Sequence, residues 1–164
     1  MPLTLLVGVC TGYLSPAAFS ANLVKRTKSD WQLDDKRLLS LFPALSKVTG
    51  SASGAEVKEE FVKAELLKDP QTALQTTIDA YLKLVMDAKR SRKADDPWPV
   101  IIIDEANALK KWKDKDSLEQ LLAFFVYLTK EEQLAHVILA TSDTSLTQWL
   151  DLGAPHLWAC VFVL

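Results

Sequence analysis

The middle of the chain reads Pro99-Val100-Ile101-Ile102-Ile103-Asp104-Glu105-Ala106-Asn107. Four β-branched apolar residues follow one another, and two carboxylates come directly after them. A short apolar run of this kind is typical of a strand that is buried on both faces inside a parallel sheet. The carboxylates fall at the carboxyl end of that strand, where open α/β sheets form their ligand crevice. The stretch therefore predicts an α/β fold with an acidic site at one edge of the sheet.

Two interpretations of the acidic strand end stay open on this stretch alone. A buried strand that delivers Asp104 and Glu105 into a crevice has the form of a Walker B motif. In that chemistry the first carboxylate holds Mg²⁺, usually through water, and the second orients or deprotonates the water that attacks the γ-phosphate. An ordinary core strand that ends in a solvated turn gives the same pattern. A second strand is needed to choose between them.

A second apolar run supplies that strand. It covers His136 to Ala140, ends in Thr141-Ser142-Asp143, and is separated from the first run by an amphipathic segment. Strand, helix and strand in this order form a βαβ unit, whose crossover is right-handed in nearly all proteins. We therefore expect the two runs to be neighbouring parallel strands, with Asp104, Glu105 and Thr141 at the same end of the sheet.

Together, the runs Ile101–Asn107 and Val137–Asp143 resemble the Walker B and sensor 1 strands of AAA+ and STAND-type P-loop ATPases, and are closest to the archaeal-ATPase-like branch. The resemblance covers about residues 74 to 164. It implies a partial three-layer P-loop NTPase-like fold, with a mostly parallel sheet flanked by helices. It also implies binding of ATP and Mg²⁺, with Asp104 as the metal ligand and Glu105 as the catalytic base that also contacts the nucleotide. Thr141 or Ser142 would then sense the γ-phosphate.

The sequence departs from this family at the phosphate loop. A Walker A loop needs Gly-x-x-x-x-Gly-Lys-Ser/Thr, because its glycines let backbone N–H groups surround the phosphates while the Lys reaches the β and γ oxygens. None of the five glycines here is followed by Lys. We therefore expect an ATPase-like domain that is truncated, or that has lost its grip on phosphate, and is weakly active or inactive alone. The alternative is a non-catalytic interaction module derived from such an ATPase, which docks a partner through an apolar helix at 117–129.

The rest of the chain predicts helices and one internal boundary. Residues 1–53 read as a degenerate or unrelated N-terminal segment with short helices, and residues 54–164 read as the ATPase-like part. The stretch from Thr49 to Gly54 is predicted to be a flexible loop at this boundary. Asp69 and Pro70 predict the start of a helix that runs to about Arg90. Ala108 to Asp116 is predicted to be a charged loop, and Ser117 the N-cap of the following helix.

Composition limits the remaining classes of function. The 19 basic and 21 acidic residues give a net charge of −2, which argues against a dedicated nucleic-acid surface. The two Cys and two His do not form the paired spacing of a zinc site, and Cys10 and Cys160, both within apolar runs, fit free thiols in a reducing compartment. No apolar run approaches the roughly 18 residues that span a bilayer. We expect a soluble, intracellular protein that does not enter membranes.

Overall fold

The sheet at the centre of the protein has four parallel strands in the order β1-β2-β3-β4. They are β1 (Thr4–Leu5), β2 (Val100–Ile103), β3 (His136–Thr141) and β4 (Val161–Val163). The computed structural model describes residues 4–5, 15–42, 69–93, 98–153 and 161–163. Within these residues the fold is mixed α/β, with a parallel sheet flanked by helices, and is compatible with a partial P-loop NTPase-like fold.

Five α-helices accompany the sheet in the described residues: α1 (Pro16–Asp30), α2 (Asp35–Leu41), α3 (Pro70–Ser91), α4 (Lys115–Val126) and α5 (Ser145–Gly153). A 3₁₀-helix (Ala106–Lys111) follows β2, and a π-helical turn (Tyr127–Glu131) follows α4. Across the described part of the chain, none of the helices has the length and apolar character needed to cross a membrane.

The pairing of β2 with β3 confirms the predicted βαβ unit. The two strands are parallel neighbours, with Ile101 opposite Val137 and Ile103 opposite Leu139. The crossover between them contains the 3₁₀-helix and α4. Because the strands are parallel and in this register, the residues that follow Ile103 and the residues that end β3 lie at the same edge of the sheet.

Burial along β2 differs from the prediction. Ile101 and Ile103 are 1% and 0% exposed, whereas Val100 and Ile102 are only half-buried. Successive side chains of a strand point to opposite faces, so one face of β2 is covered closely and the other loosely. Full burial on both faces, which the apolar run predicts, is therefore wrong for this strand.

Helix α1 is an element that the sequence analysis missed. Its N-cap is Ser15, whose hydroxyl accepts a hydrogen bond from the Ala18 backbone N–H at 3.3 Å, and Pro16 is its first residue. Both are signals of a helix start, although Ser15-Pro16 also reads as a strand breaker. Phe19 and Leu23 of this helix are buried in the same core cluster as Ile101 and Ile103.

Helices α2 and α3 follow the sequence closely. Helix α2 has Asp34 as its N-cap and ends before Phe42, next to the proline at 43 that predicts this end. Helix α3 begins at Pro70 with Asp69 as its N-cap and ends at Ser91, within one residue of the predicted Arg90. Residues 43–68 lie outside the described part of the chain, so the proposed boundary near Gly50–Gly54 stays a prediction.

Helix α4 corrects the predicted cap and explains the broad apolar surface. The helix begins at Lys115, and its N-cap is Asp114 and not Ser117. One Asp114 carboxylate oxygen accepts from the Ser117 backbone N–H at 3.2 Å, and the other accepts from the Ser117 hydroxyl at 2.6 Å. The large apolar residues that suggested a docking face are buried in the core of this chain: Leu118, Leu121, Leu122, Phe124, Phe125 and Leu128. Internal packing therefore accounts for the apolar surface without a partner.

The predicted charged loop from Ala108 to Asp116 is a loop only from Trp112 to Asp114, since the 3₁₀-helix runs to Lys111 and α4 begins at Lys115. Ala106 and Leu109 are both fully buried, and Trp112 is 1% exposed. The Trp112 ring packs edge-to-face on Phe19, with ring centroids 6.1 Å apart. The loop prediction was wrong because a lysine-rich stretch hides an inward-facing row of three residues. That row anchors the segment that follows the acidic strand end.

Candidate functional site

Asp104 and Glu105 leave the carboxyl end of β2 in an unusual backbone conformation. Glu105 has φ 52° and ψ 42°, which is the left-handed region that residues other than Gly seldom occupy. Asp104 is half-buried, and its Oδ1 accepts a hydrogen bond from the Glu105 N–H at 2.9 Å. Glu105 is exposed. The turn therefore holds one carboxylate against the backbone and presents the other to solvent.

The side chain of Asn107 lies between Glu105 and the end of β3. In the amide orientation that satisfies both of its polar atoms, the Asn107 nitrogen donates to the Glu105 backbone oxygen at 3.0 Å and to Glu105 Oε2 at 3.1 Å. The Thr141 hydroxyl lies 3.4 Å from the same amide group. Asn107 therefore bonds to the acidic strand end and lies beside the polar strand end. Nothing in the sequence marks this residue, because one Asn after an apolar strand and two carboxylates carries no distinctive signal.

The end of β3 presents two hydroxyls in different surroundings. Thr141 is 4% exposed, and its Oγ1 accepts from the Asp143 backbone N–H at 3.0 Å. Ser142 is exposed. The Thr141 hydroxyl thus shapes the loop after the strand, while Ser142 is open to solvent at the same edge of the sheet.

An ion pair joins the loop after β2 to the loop after β3. Lys110 Nζ lies 2.8 Å from Asp143 Oδ2 and 2.6 Å from Ser145 Oγ. Asp143 Oδ1 also accepts from the Ser145 N–H at 2.9 Å and from the Ser145 hydroxyl at 2.6 Å. The hydrogen bonds from Lys110 and Ser145 lower the pKa of Asp143 from 3.8 to about 2. Asp143 is therefore ionised throughout the neutral range.

The basic residues at the end of α3 lie away from Asp104 and Glu105. At the far end of β2, the Arg92 guanidinium stacks on Trp98, 3.9 Å from the ring centroid. Lys89 donates to the Glu132 backbone oxygen at 2.8 Å, and Arg90 lies 3.4 Å from Asp87. These contacts give the basic end of α3 a structural role. Cys10, Cys160 and His156 lie outside the described residues, and His136 is exposed at the start of β3.

The side chains that the structure describes around Asp104 and Glu105 do not form a complete metal site by themselves. In the described ranges, no group of three or more His, Cys, Asp or Glu side chains could hold a metal ion. Mg²⁺ keeps several waters and is commonly bound by one or two carboxylates together with substrate phosphates. Asp104, with one oxygen engaged by the backbone, fits such a nucleotide-completed site and does not fit a metal site built by the protein alone.

A family comparison agrees with this arrangement. The model of an ATPase domain predominantly from Archaea matches residues 19–157. The chain belongs to this archaeal ATPase family. The match includes β2, β3 and all of the site residues above, together with helix α1 from Phe19 onward. No solved structure is significantly similar to the chain.

Relatives of this archaeal ATPase domain are known by sequence. Two uncharacterized ATP-binding proteins of Methanocaldococcus jannaschii are 35% and 31% identical to it, and each alignment covers 68% of this chain. An uncharacterized ATP-binding protein of Pyrococcus horikoshii is 38% identical over 40% of this chain. The aligned parts make up 29%, 28% and 20% of the three relatives. The chain thus spans less than a third of the length of these proteins.

Proposed function

We propose that this chain is an ATP-binding, ATPase-like domain whose nucleotide site is the shared edge of β2 and β3. One observation carries the proposal: Asp104 and Glu105 end one strand, Thr141 and Ser142 end its parallel neighbour, and all four therefore lie at one edge of the sheet. The three relatives are named as ATP-binding proteins, which supports the same ligand class.

The roles within this site follow from the surroundings of each residue. Asp104 would hold Mg²⁺, and this ion when bound offsets negative charge on the phosphate oxygens. Glu105 is exposed at the strand end and would accept a proton from the attacking water, or orient that water. Ser142 is the hydroxyl better placed to donate to a γ-phosphate oxygen, because Thr141 is buried and its oxygen already accepts from the Asp143 N–H.

The phosphates need further support that the sequence does not visibly provide. No glycine is followed by Lys, so the backbone cradle and the cation of a P-loop are missing from this chain. Lys110 is the first lysine after Glu105 in the sequence. Its ammonium group already donates to Asp143 and Ser145. The domain as it stands is therefore expected to bind nucleotide weakly.

A titration that reports individual residues tests the site. In a ¹H–¹⁵N NMR titration of the whole chain, Mg-ATP should shift the amide signals of Glu105, Asn107 and Ser142. Asp104→Asn should weaken the response because the metal loses its carboxylate, whereas Asp116→Asn, at an exposed position on α4, should leave it unchanged. Shifts that cluster at the opposite end of the sheet, around Trp98 and His136, would reject this site.

A further inference from the structure

The 3₁₀-helix after β2 arranges its side chains in two rows. Residues three apart eclipse one another in a 3₁₀-helix. Ala106 and Leu109 form one such pair, and both are fully buried in the core. Asn107 and Lys110 form the next pair, and both reach toward residues at the end of β3. One short element therefore anchors itself in the core with one row and contacts the neighbouring loop with the other.

The second row makes contacts on both sides of the proposed site. Asn107 donates to Glu105 at 3.0 and 3.1 Å, and its amide lies 3.4 Å from the Thr141 hydroxyl. Lys110 donates to Asp143 at 2.8 Å and to Ser145 at 2.6 Å. Bonds with an ionised partner are roughly twice as strong as neutral ones. The row thus joins the loop that carries Glu105 to the loop that carries Ser142.

We infer that Asn107 and Lys110 are positioning residues: Asn107 holds Glu105, Lys110 holds the loop after β3 to the same 3₁₀-helix, and together they fix Glu105 relative to Thr141. This inference rests on the proposed function, because it assigns the two residues to the same site. Lys110 contacts none of the proposed reacting atoms, and the Asn107 nitrogen contacts only the Glu105 carboxylate, at 3.1 Å, where it would orient that group. Their effect is to keep the two polar strand ends at one separation before any nucleotide binds.

We call the contacts of Asn107 and Lys110 the brace. Leu109 explains why a short 3₁₀-helix can support it. Its side chain is 0% exposed within the main core cluster, and Trp112 is 1% exposed three residues later. A helix whose one face is fixed in the core holds the side chains of its other face in place, because close-packed interiors deform little. The row of Asn107 and Lys110 therefore projects from a rigid support toward a loop that would otherwise move independently.

Amide exchange without nucleotide tests the brace directly. In the whole chain, Lys110→Met should speed exchange of the Asp143 and Ser145 amides by about tenfold or more, the factor that loss of a hydrogen bond to a charged group corresponds to. Asn107→Ala should speed exchange at Glu105 and Asp143. Lys111→Met is the matched control, since Lys111 is the next residue on the same helix and is exposed.

A conservative variant separates positioning from general stabilisation. Lys110→Arg keeps the positive charge and should restore slow exchange at both loops. Asn107→Asp keeps the side-chain volume but replaces the donor with a carboxylate beside Glu105, so it should behave as Asn107→Ala does and provides the test if the alanine variant does not fold. Exchange in Lys110→Met equal to that in Lys111→Met would overturn the inference. So would an arginine variant that exchanges as fast as the methionine variant.

A second arm uses Mg-ATP and distinguishes the inference from the proposed function. In the unmodified chain Mg-ATP should shift the amides of both Glu105 and Ser142. In Lys110→Met the response of Ser142 should fall relative to that of Glu105, because the two loops no longer move together; Lys110→Arg should recover it. Absence of any Mg-ATP response in the unmodified chain would overturn the proposed function, and the exchange measurements would still decide whether the brace exists. An unchanged ratio of the two responses in Lys110→Met would count against the brace.

Discussion

Glu105, the proposed general base, has a strained backbone conformation. Its φ is 52°, and two other non-glycine residues in the described part of the chain also have positive φ: Gln32 at 49° and Gln133 at 51°. Such conformations cost roughly 1–3 kcal/mol each and often occur at functional sites. At Glu105 the strained turn places one carboxylate in solvent and directs its own N–H to the carboxylate of Asp104. A glycine would relieve the strain, but it would remove the carboxylate.

Glycine substitutions test whether this strain is retained for function. Glu105→Gly should raise the free energy of unfolding by roughly 0.5–1 kcal/mol, since relief of left-handed strain exceeds the extra entropy of an unfolded glycine. Gln133→Gly is the matched control, because Gln133 has φ 51° and lies away from the acidic edge. Urea denaturation measures both changes. Only Glu105→Gly should also weaken the NMR response to Mg-ATP. A loss of stability in Glu105→Gly would mean that the Asn107 contact outweighs the strain.

Asp143 gives a pH dependence with a defined sign. Its pKa is lowered from 3.8 to about 2 in the folded chain by hydrogen bonds from Lys110 and Ser145. A lowered carboxyl pKa stabilises the folded state above the unfolded value, and this contribution is lost as the pH falls from about 4 to about 2. Asp143→Asn should therefore flatten the loss of stability between pH 4 and pH 2. Chemical denaturation at both pH values measures it, with Asp116→Asn as a control that should keep the full slope.

At the scale of the elements, the start of α4 shows how a local signal can be placed one turn away. Ser117 and Gln120 satisfy the spacing of a capping box, yet the cap is Asp114 and Ser117 is fully buried. Asp114 accepts from both the backbone N–H and the hydroxyl of Ser117, and the hydrogen bonds from Ser117 lower the pKa of Asp114. The earlier start lengthens the helix and carries Leu118 and Leu121 into the core.

Two substitutions distinguish the caps. Asp114→Ala should lower the free energy of unfolding by about 1 kcal/mol, the usual cost of losing an N-cap. Ser117→Ala should cost less, because the backbone N–H of residue 117 still donates to Asp114. Thermal or urea unfolding of the two variants gives the comparison. A larger loss in Ser117→Ala than in Asp114→Ala would reinstate Ser117 as the principal cap.

The predictable elements are those whose signals are local and strong. Helix α3 carries Asp69-Pro70 and a regular apolar stripe, and β2 and β3 carry unbroken β-branched or aliphatic runs, so their type and pairing follow from sequence. The 3₁₀-helix does not, because its inward residues repeat every three positions among lysines. Helix α1 was not predicted, because most of its residues are polar or small. Phe19 and Leu23 can be recognised as core residues only when α3 is packed beside them. The contacts of Asn107 and Lys110 depend on that tertiary packing.

At the scale of the whole molecule, the two ends of the sheet carry different charged groups. Asp104 and Glu105 follow the carboxyl end of β2, whereas the basic end of α3 contacts Trp98 and Glu132 near the start of the strands. Helices α1 and α3 pack together and close the core beneath the strands. The core therefore supports the strand end that carries Asp104 and Glu105. The Gly-Lys-Ser/Thr motif that binds phosphate in P-loop proteins is absent from the sequence of this chain.

The missing phosphate loop sets the affinity that we expect of the isolated polypeptide for Mg-ATP. In P-loop proteins the backbone donors and one Lys supply most of the contacts to the phosphates, whereas the Walker B carboxylate acts through a metal that needs the nucleotide's oxygens to complete its shell. Asp104 with one free oxygen holds little by itself, and Lys110 is already paired. We predict that this chain binds Mg-ATP no tighter than about millimolar, which corresponds to an affinity of only about 4 kcal/mol.

Isothermal titration calorimetry and a phosphate-release assay measure this directly. Hydrolysis should remain at the level of buffer alone. Glu105→Gln should change neither quantity in the isolated chain, because there is no hydrolysis above background to lose and glutamine, unlike glycine, keeps the size of the side chain. Asp104→Asn should abolish the residual dependence of binding on Mg²⁺. A micromolar dissociation constant would contradict the prediction, and would show that the segment from Gly8 to Ser15, or another part of the chain, forms a phosphate cradle without the Gly-Lys-Ser/Thr signature.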